Sequence, residues 1–309
     1  MGAVEREVVE RDSIFPTIDD YNTVRELAIE GELVTPVVFL VDTPFAFPAQ
    51  IHQTDARIDR GDELGRLIDE VAAWDENRWR DRFPERDYPD NEKVLVLDVW
   101  ADEGMVNIAV GTTCYTERLA TQDQEVGKRF GVEAVAFTLG VSAVIKTRDN
   151  KLLLAILKRT DPHHADKIDC PHVMGGIVEP DKDGIVDPEE HILDEITQET
   201  GIGKEHLVIS TRLGVIEHRM SVDILYVVET VLTEEEIRGL SGDKEIELLF
   251  VDNTNEAVEV VLRNVGATGG AVGSLYLYGR MEYGEAWAER VKENTGLILG
   301  GLGEGDSED

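Results

Sequence analysis

Glu195 and Glu199 lie four residues apart, a spacing that stacks two carboxylates on one side of a helix. Like charges so placed repel each other. A helix that keeps them on one edge has a use for a cation between them, and an all-oxygen donor set suits magnesium or manganese. Asp187 is a good N-cap for that helix, Pro188 suits its first position, and Glu190 falls three residues after the cap. Ile192, Leu193 and Ile196 supply an apolar stripe at helical spacing. Gly201 stands just past the last turn, where a left-handed residue is usual. Upstream, Gly175 and Gly176 form a glycine loop joined to the helix by an acidic connection. The same features would serve an ordinary capped amphipathic helix with solvated acids, so the neighbouring elements decide between the two readings.

Two adjacent cations, Lys158 and Arg159, close a strand upstream of the glycines. On an acidic chain they are either a surface pair or a phosphate contact. Asp161, His163, His164, Cys170 and His172 hint at zinc, but their spacing matches no usual zinc template. They read as a loop leading to the glycine turn. A glycine-rich run at 264–274 lacks the lysine and the strand-loop-helix context of a P-loop. Tyr276, Tyr278 and Tyr283 follow it, placed either to stack a base or, at alternate positions of a strand, to pack.

The chain has 309 residues, with 64 acidic against 30 basic and a formal net charge of -34. That balance argues against nucleic acid or an anionic membrane as partner, because both need basic surface. Lysine is about half as frequent as arginine. The surface reads as halophilic, since in molar salt the screening length falls to about 3 Å and self-repulsion is muted. Disorder does not follow from the charge, because 42% of residues are apolar and come in patterned runs. The charged start has no apolar core for a signal peptide, the apolar runs are too short to span a membrane, and two cysteines fit a reducing cytosol. A cytoplasmic protein is expected.

The elements that must hold the site come in a recognisable order. Residues 34–41 read as a strand, 43–53 as a loop, 62–80 as a helix, and 94–100 with 105–110 as a hairpin. Residues 115–120 favour a helix. A second hairpin follows at 135–145 and 151–158, then the glycine loop and the acidic helix. Strands are expected at 207–216 and 222–231, with Glu217, His218 and Arg219 in the turn between them. A helix at 232–240 capped by Thr233, a strand at 245–251 and a helix at 255–264 complete the pattern. This is an α+β chain, divided into an N-terminal α+β module at 1–122, a main domain at 123–295 and an acidic tail at 296–309.

The stretch 175–202 resembles the Nudix box, in which a glycine and a glutamate precede a helix bearing the pattern R-E-U-x-E-E-x-G-U. Glu195, Ile196, Glu199, Gly201 and Ile202 match it, and Gly175, Gly176 and Glu179 fit the glycine side. The box arginine is Asp194 here, one box glutamate is Gln198, and the connection is about four residues too long, with Glu189 and Glu190 as stand-ins for the glutamate it displaces. The stretches GTTCYTERLATQ and GSLYLYGR look like the UDP-glucose and UDP-galactose diphosphatase branch of the Nudix hydrolases, which also lacks the arginine. The resemblance implies an α/β/α sandwich with a mixed sheet, preceded by a small module. It implies magnesium-dependent hydrolysis (manganese serving as well) of a nucleoside diphosphate joined to a moiety X. For a UDP-sugar the products are UMP and a sugar 1-phosphate. The metal ligands would be Glu195, Glu199 and the carbonyl of Gly176, and Lys158 and Arg159 would hold phosphate. The base would come from Glu179, Glu190 or Glu217, with Glu179 the choice carried forward. Two alternatives stand beside it: the same chemistry on ADP-ribose or a nucleotide cofactor, and a non-catalytic nucleotide-sensing module.

Overall fold

The computed structural model describes residues 38–41, 49–82, 88, 90–102, 105–122, 124–157, 171–218, 221–240, 242, 246–263 and 267–295. The first strands are β1 (Val38–Val41) and β2 (Ala49–Gln53), followed by the long helix α1 (Gly61–Arg82). Then come the hairpin β3 (Glu92–Asp102) and β4 (Met105–Cys114), and two short helices, α2 (Tyr115–Thr121) and α3 (Gln124–Phe130). β5 (Thr138–Lys146), β6 (Lys151–Leu157), β7 (Pro171–His172) and β8 (Met174–Ile177) lead into α4 (Pro188–Thr200). The rest is β9 (Leu207–His218), β10 (Ser221–Thr230), α5 (Glu234–Arg238), β11 (Ile246–Asp252), α6 (Asn255–Leu262), α7 (Gly269–Tyr283) and α8 (Glu285–Thr295).

The strands join in one mixed sheet with the order β1-β9-β10-β5-β3-β4-β2, while β8 pairs with β5 and β6 pairs with β11, β5 and β7. β5 is the hub. Parallel β10 lies on one side, and antiparallel β8 and the end of β6 lie on the other. Alternation along β5 separates two cores. Leu139, Val141, Ala143 and Ile145 point to the face that α4 covers with Ile192 and Ile196. Val144 points to the opposite face, where Leu275 and Leu277 of α7 pack. Helix, mixed sheet, helix is thus the layer order around β5. Ile192 and Ile196 are fully buried, and each such burial contributes about 1.5–3 kcal/mol. That attachment holds the acid-bearing edge of α4 in place.

The β3–β4 sheet pairs with β5 at Leu95 and Thr138, shares the main core through Val96, Ile108 and Val110, and packs a smaller core under α1 with Ile58, Leu64 and Ile68. No helix among the described residues is long and apolar enough to cross a membrane.

Several elements differ from the sequence expectation. Ala49–Gln53 is a strand rather than loop, because it gains parallel pairing to β4 at the sheet edge. Gly175 and Gly176 lie in the strand β8 rather than in a loop, paired across from Ser142 and Val141. Glu217 and His218 end β9 rather than forming a turn. The β5–β6 hairpin keeps only two register pairs before the strands part, β6 turning to β11 and β5 to β8. The segment with Tyr276 and Tyr278 is helical. Every residue from Gly269 to Gly279 is buried, so α7 has no polar face and leaves no amphipathic signal to read.

Candidate active site

The local sequence builds α4 as its residue types require. The Asp187 side chain accepts hydrogen bonds from the backbone N–H groups of Glu189 and Glu190, at 3.1 Å each. Pro188 opens the helix, and Gly201 closes it at φ 78°. β8 then brings its two glycines against the exposed edge of the helix. A Cβ on Gly176 would lie 2.7 Å from Cδ of Glu195 and 2.8 and 3.0 Å from its oxygens. Only a glycine leaves that carboxylate its place. One turn on, the Gly175 N–H donates to Oε2 of Glu199 at 3.3 Å. The structure thus brings Gly176, Glu195 and Glu199 together.

The other acids around this edge are matched by cations from separate elements. Lys93 of β3 pairs with Oε1 of Glu179. Arg212 of β9 pairs with Glu189. Lys204 lies 2.6 Å from Asp194 and also binds Glu190. Asp194 is therefore held by a lysine that approaches from the short turn after the helix.

Glu195 differs. Its ion-pair contact within 4 Å among the described residues is His191, whose Nε2 is 3.3 Å from Oε1. That approach lacks hydrogen-bond geometry, and Nε2 is buried without a partner. Burial first, then the Glu179 carboxylate, push the Glu195 carboxyl above its ordinary range, with Asp194 adding and Lys93 opposing. Burial likewise depresses the His191 imidazole, and Lys93 lowers it further against the pull of Glu179. A partly buried carboxylate gains from a neighbouring cation, and Glu195 beside Gly176 could share a divalent ion at this edge. Among the described residues no three His, Cys, Asp or Glu side chains converge as a preformed metal cluster.

Lys158, Arg159, Asp161, His163, His164 and Cys170 lie outside the described residues. His172 shares a 3.0 Å hydrogen bond with Thr268. Glu190 is engaged by Lys204, and Glu217 is buried within β9 at 2% exposure. Tyr278 and Tyr283 donate to Oδ1 of Asn253 at 2.9 and 2.7 Å, which ties α7 to the end of β11. His191, Lys93, Lys204 and Arg212 were not singled out from the sequence. His191 carried a signal: it precedes Glu195 by the same four residues that separate Glu195 from Glu199. The three cations did not, because each reaches the helix only through the fold. Arg118 of α2 is a further, half-buried cation, with Nε donating to Thr138 at 3.1 Å and desolvation lowering its pKa.

No family model matches the chain, and no curated protein matches it. Several solved structures are similar in part. An Ap4A hydrolase of C. elegans in a binary complex aligns over 47% of this chain and 96% of its own, at 15% identity and a TM-score of 0.33. A MutT protein from Methanosarcina mazei Go1 aligns over 50% and 93%, at 19% identity and a TM-score of 0.30. The NUDIX domain of Shewanella oneidensis NrtR complexed with ADP ribose aligns over 37% and 72%, at 16% identity and a TM-score of 0.27. At such TM-scores these likenesses carry no argument about this chain, and the reading of its site rests on the geometry of α4 and β8.

Proposed function

We propose that this chain is a metal-dependent Nudix-type hydrolase that cleaves the diphosphate of a nucleoside diphosphate joined to a moiety X. The sequence resemblance favours a UDP-sugar, giving UMP and a sugar 1-phosphate. The observation that carries the reading is Glu195, packed over Gly176 and one turn from Glu199, whose N–H contact comes from the neighbouring Gly175. Glu195, Glu199 and the Gly176 carbonyl would hold magnesium, or manganese in its place. The ion would neutralise the diphosphate and lower the pKa of the attacking water.

The chain's own groups supply the rest. The core on one face of β5 holds α4 through Ile192 and Ile196 and β8 through Met174, so the carboxylates are positioned before substrate arrives. Lys93 engages Oε1 of Glu179, which leaves Oε2 to accept the proton of the attacking water. Lys158 and Arg159 are assigned from the sequence to the phosphate oxygens, where cations steady developing charge. On a chain of net charge -34 such cations must act locally, because the overall field repels an anionic substrate.

The test is hydrolysis of UDP-glucose, UDP-galactose, ADP-ribose and ADP-glucose with magnesium in molar potassium chloride, wild type beside Glu199→Gln. Release of UMP fastest from the UDP-sugars, lost in the variant, supports the proposal. Preference for the adenine substrates moves the assignment to ADP-ribose or a nucleotide cofactor. A folded wild type with no turnover under magnesium or manganese identifies a binding module instead, a reading to which Asp194 and Gln198 already lean.

A further inference from the structure

We propose that Gln53 of the N-terminal sheet is a positioning residue for the active site, clamping the long connection that carries Glu179 from β8 to α4. The inference rests on the hydrolase reading above and deepens it, because it gives the N-terminal strands a part in the reaction. Gln53 ends β2, and both ends of its side-chain amide meet one loop. Nε2 donates to the Gly184 carbonyl at 2.8 Å, and Oε1 accepts from the Val186 N–H at 3.3 Å. The two contacts cross 131 and 133 residues of chain. An amide that donates to and accepts from one stretch of backbone fixes that stretch at two points, as a neighbouring strand would.

The connection has a use for such a hold. Its middle is a surface turn closed on itself. Oδ1 of Asp181 accepts from the N–H groups of Asp183 and Ile185 at 2.8 Å each, Gly184 sits at φ 78°, and the Ile185 side chain is exposed. Those bonds shape the turn without tying it to the sheet. The ties are at its two ends. At the start, the Val178 N–H donates to Leu139 of β5 at 2.8 Å, the Val94 N–H of β3 donates to the Val178 carbonyl at 3.1 Å, and Lys93 pairs with Glu179. At the end, Val186 enters the main core beside Ile51 of β2, and Gln53 takes Gly184 and the Val186 N–H. The next residue, Asp187, caps α4. Two strands of the N-terminal sheet, β3 and β2, thus hold opposite ends of the segment that bears Glu179. Removing the Gln53 amide frees the second end, and a shift near 1 Å carried to the reacting centre costs on the order of 10²-fold in rate.

The experiment uses the full chain in molar potassium chloride. Wild type, Gln53→Ala, Gln53→Glu and the control Gln50→Ala are compared, Gln50 being exposed on the same strand. Circular dichroism confirms that each is folded at the assay temperature. Hydrogen exchange is read residue by residue over 178–190 by mass spectrometry with electron-transfer fragmentation. kcat and KM are measured with magnesium on the best substrate of the panel above. In Gln53→Ala the Val186 amide should exchange about 2- to 12-fold faster, the range set by one net hydrogen bond. Its kcat should fall roughly 10-fold with KM within about 3-fold, since a misplaced base costs the chemical step rather than binding. Gln53→Glu keeps the acceptor and loses the donor, so it should fall between wild type and Gln53→Ala, and Gln50→Ala should match wild type in both readouts. A faster Val186 amide with kcat within about 3-fold of wild type overturns the positioning role and leaves Gln53 a surface contact. Unchanged exchange at Val186 overturns the clamp itself. A folded wild type without turnover overturns the hydrolase reading and the kinetic role with it, while the exchange comparison still decides whether Gln53 holds the connection.

Discussion

Replacing Gly176 by alanine separates the architecture of the site from the stability of the fold. The new Cβ would stand 2.7 Å from Cδ of Glu195, where ordinary contact begins at 3.4 Å. The carboxyl group must therefore retreat by about 0.7 Å. It is the far end of a flexible side chain, so the backbone need not move. Pushing such a side chain off its rotamer costs about 0.5–1.5 kcal/mol. In a domain of this size that lowers Tm by roughly 1–6 °C. The catalytic cost should be much larger, because a misplacement near 1 Å at a reacting centre is worth on the order of 10²-fold in rate. The assay is magnesium-dependent UMP release from the preferred UDP-sugar in molar potassium chloride, beside thermal unfolding of the same samples. Activity of Gly176→Ala within about 3-fold of wild type would refute the claim that this glycine sets the position of Glu195. A collapse of Tm would show that Gly176 serves the fold first.

Further outcomes follow from the same contacts. Glu195→Gln should abolish hydrolysis yet raise the Tm of metal-free protein at neutral pH, since it removes a charge that desolvation and the Glu179 carboxylate disfavour; a lower Tm would mean that its cationic surroundings stabilise the carboxylate. The sign is that of a carboxyl raised in the folded state: the folded chain binds the extra proton, so this residue's contribution to stability declines as pH rises through its titration range. Lys204→Glu should cost about 0.2–1 kcal/mol in urea unfolding at low salt, and the double variant with Asp194→Lys should recover most of it. Equal losses in the single and double variants would show that the pair contributes nothing specific. Raising potassium chloride from 0.1 to about 2 M should increase Tm, because screening shortens from about 10 Å toward 3 Å or less and the excess of acids no longer repels across the surface. A flat or falling Tm would argue against a protein adapted to salt.

Much of α4 was legible because its determinants are local. Asp187, Pro188, Ile192, Ile196 and Gly201 each act within a turn or two, and the observed cap, buried stripe and left-handed stop follow from them. Strands with clear alternation and turn signals were legible for the same reason, as β9 and β10 were apart from the residues joining them. α7 was not. Complete burial removes the polar face that marks a helix, and its tyrosines read as a strand until packing placed them. β8 was missed because a strand of two glycines flanked by one apolar residue on each side has no pattern of its own, and it exists through its pairing to β5.

The sequence by itself determined which carboxylates stack, Glu195 on Glu199, and which glycines come near them, because helical periodicity and chain proximity are short-range properties. Only the tertiary structure decided how each acid is balanced. Lys93, Lys204 and Arg212 come from β3, the turn after α4 and β9, and they reach Glu179, Asp194 and Glu189 by folding rather than by spacing. The same packing set His191 against Glu195 at 3.3 Å. Charge compensation depends on distances across the fold, and local sequence does not encode those distances.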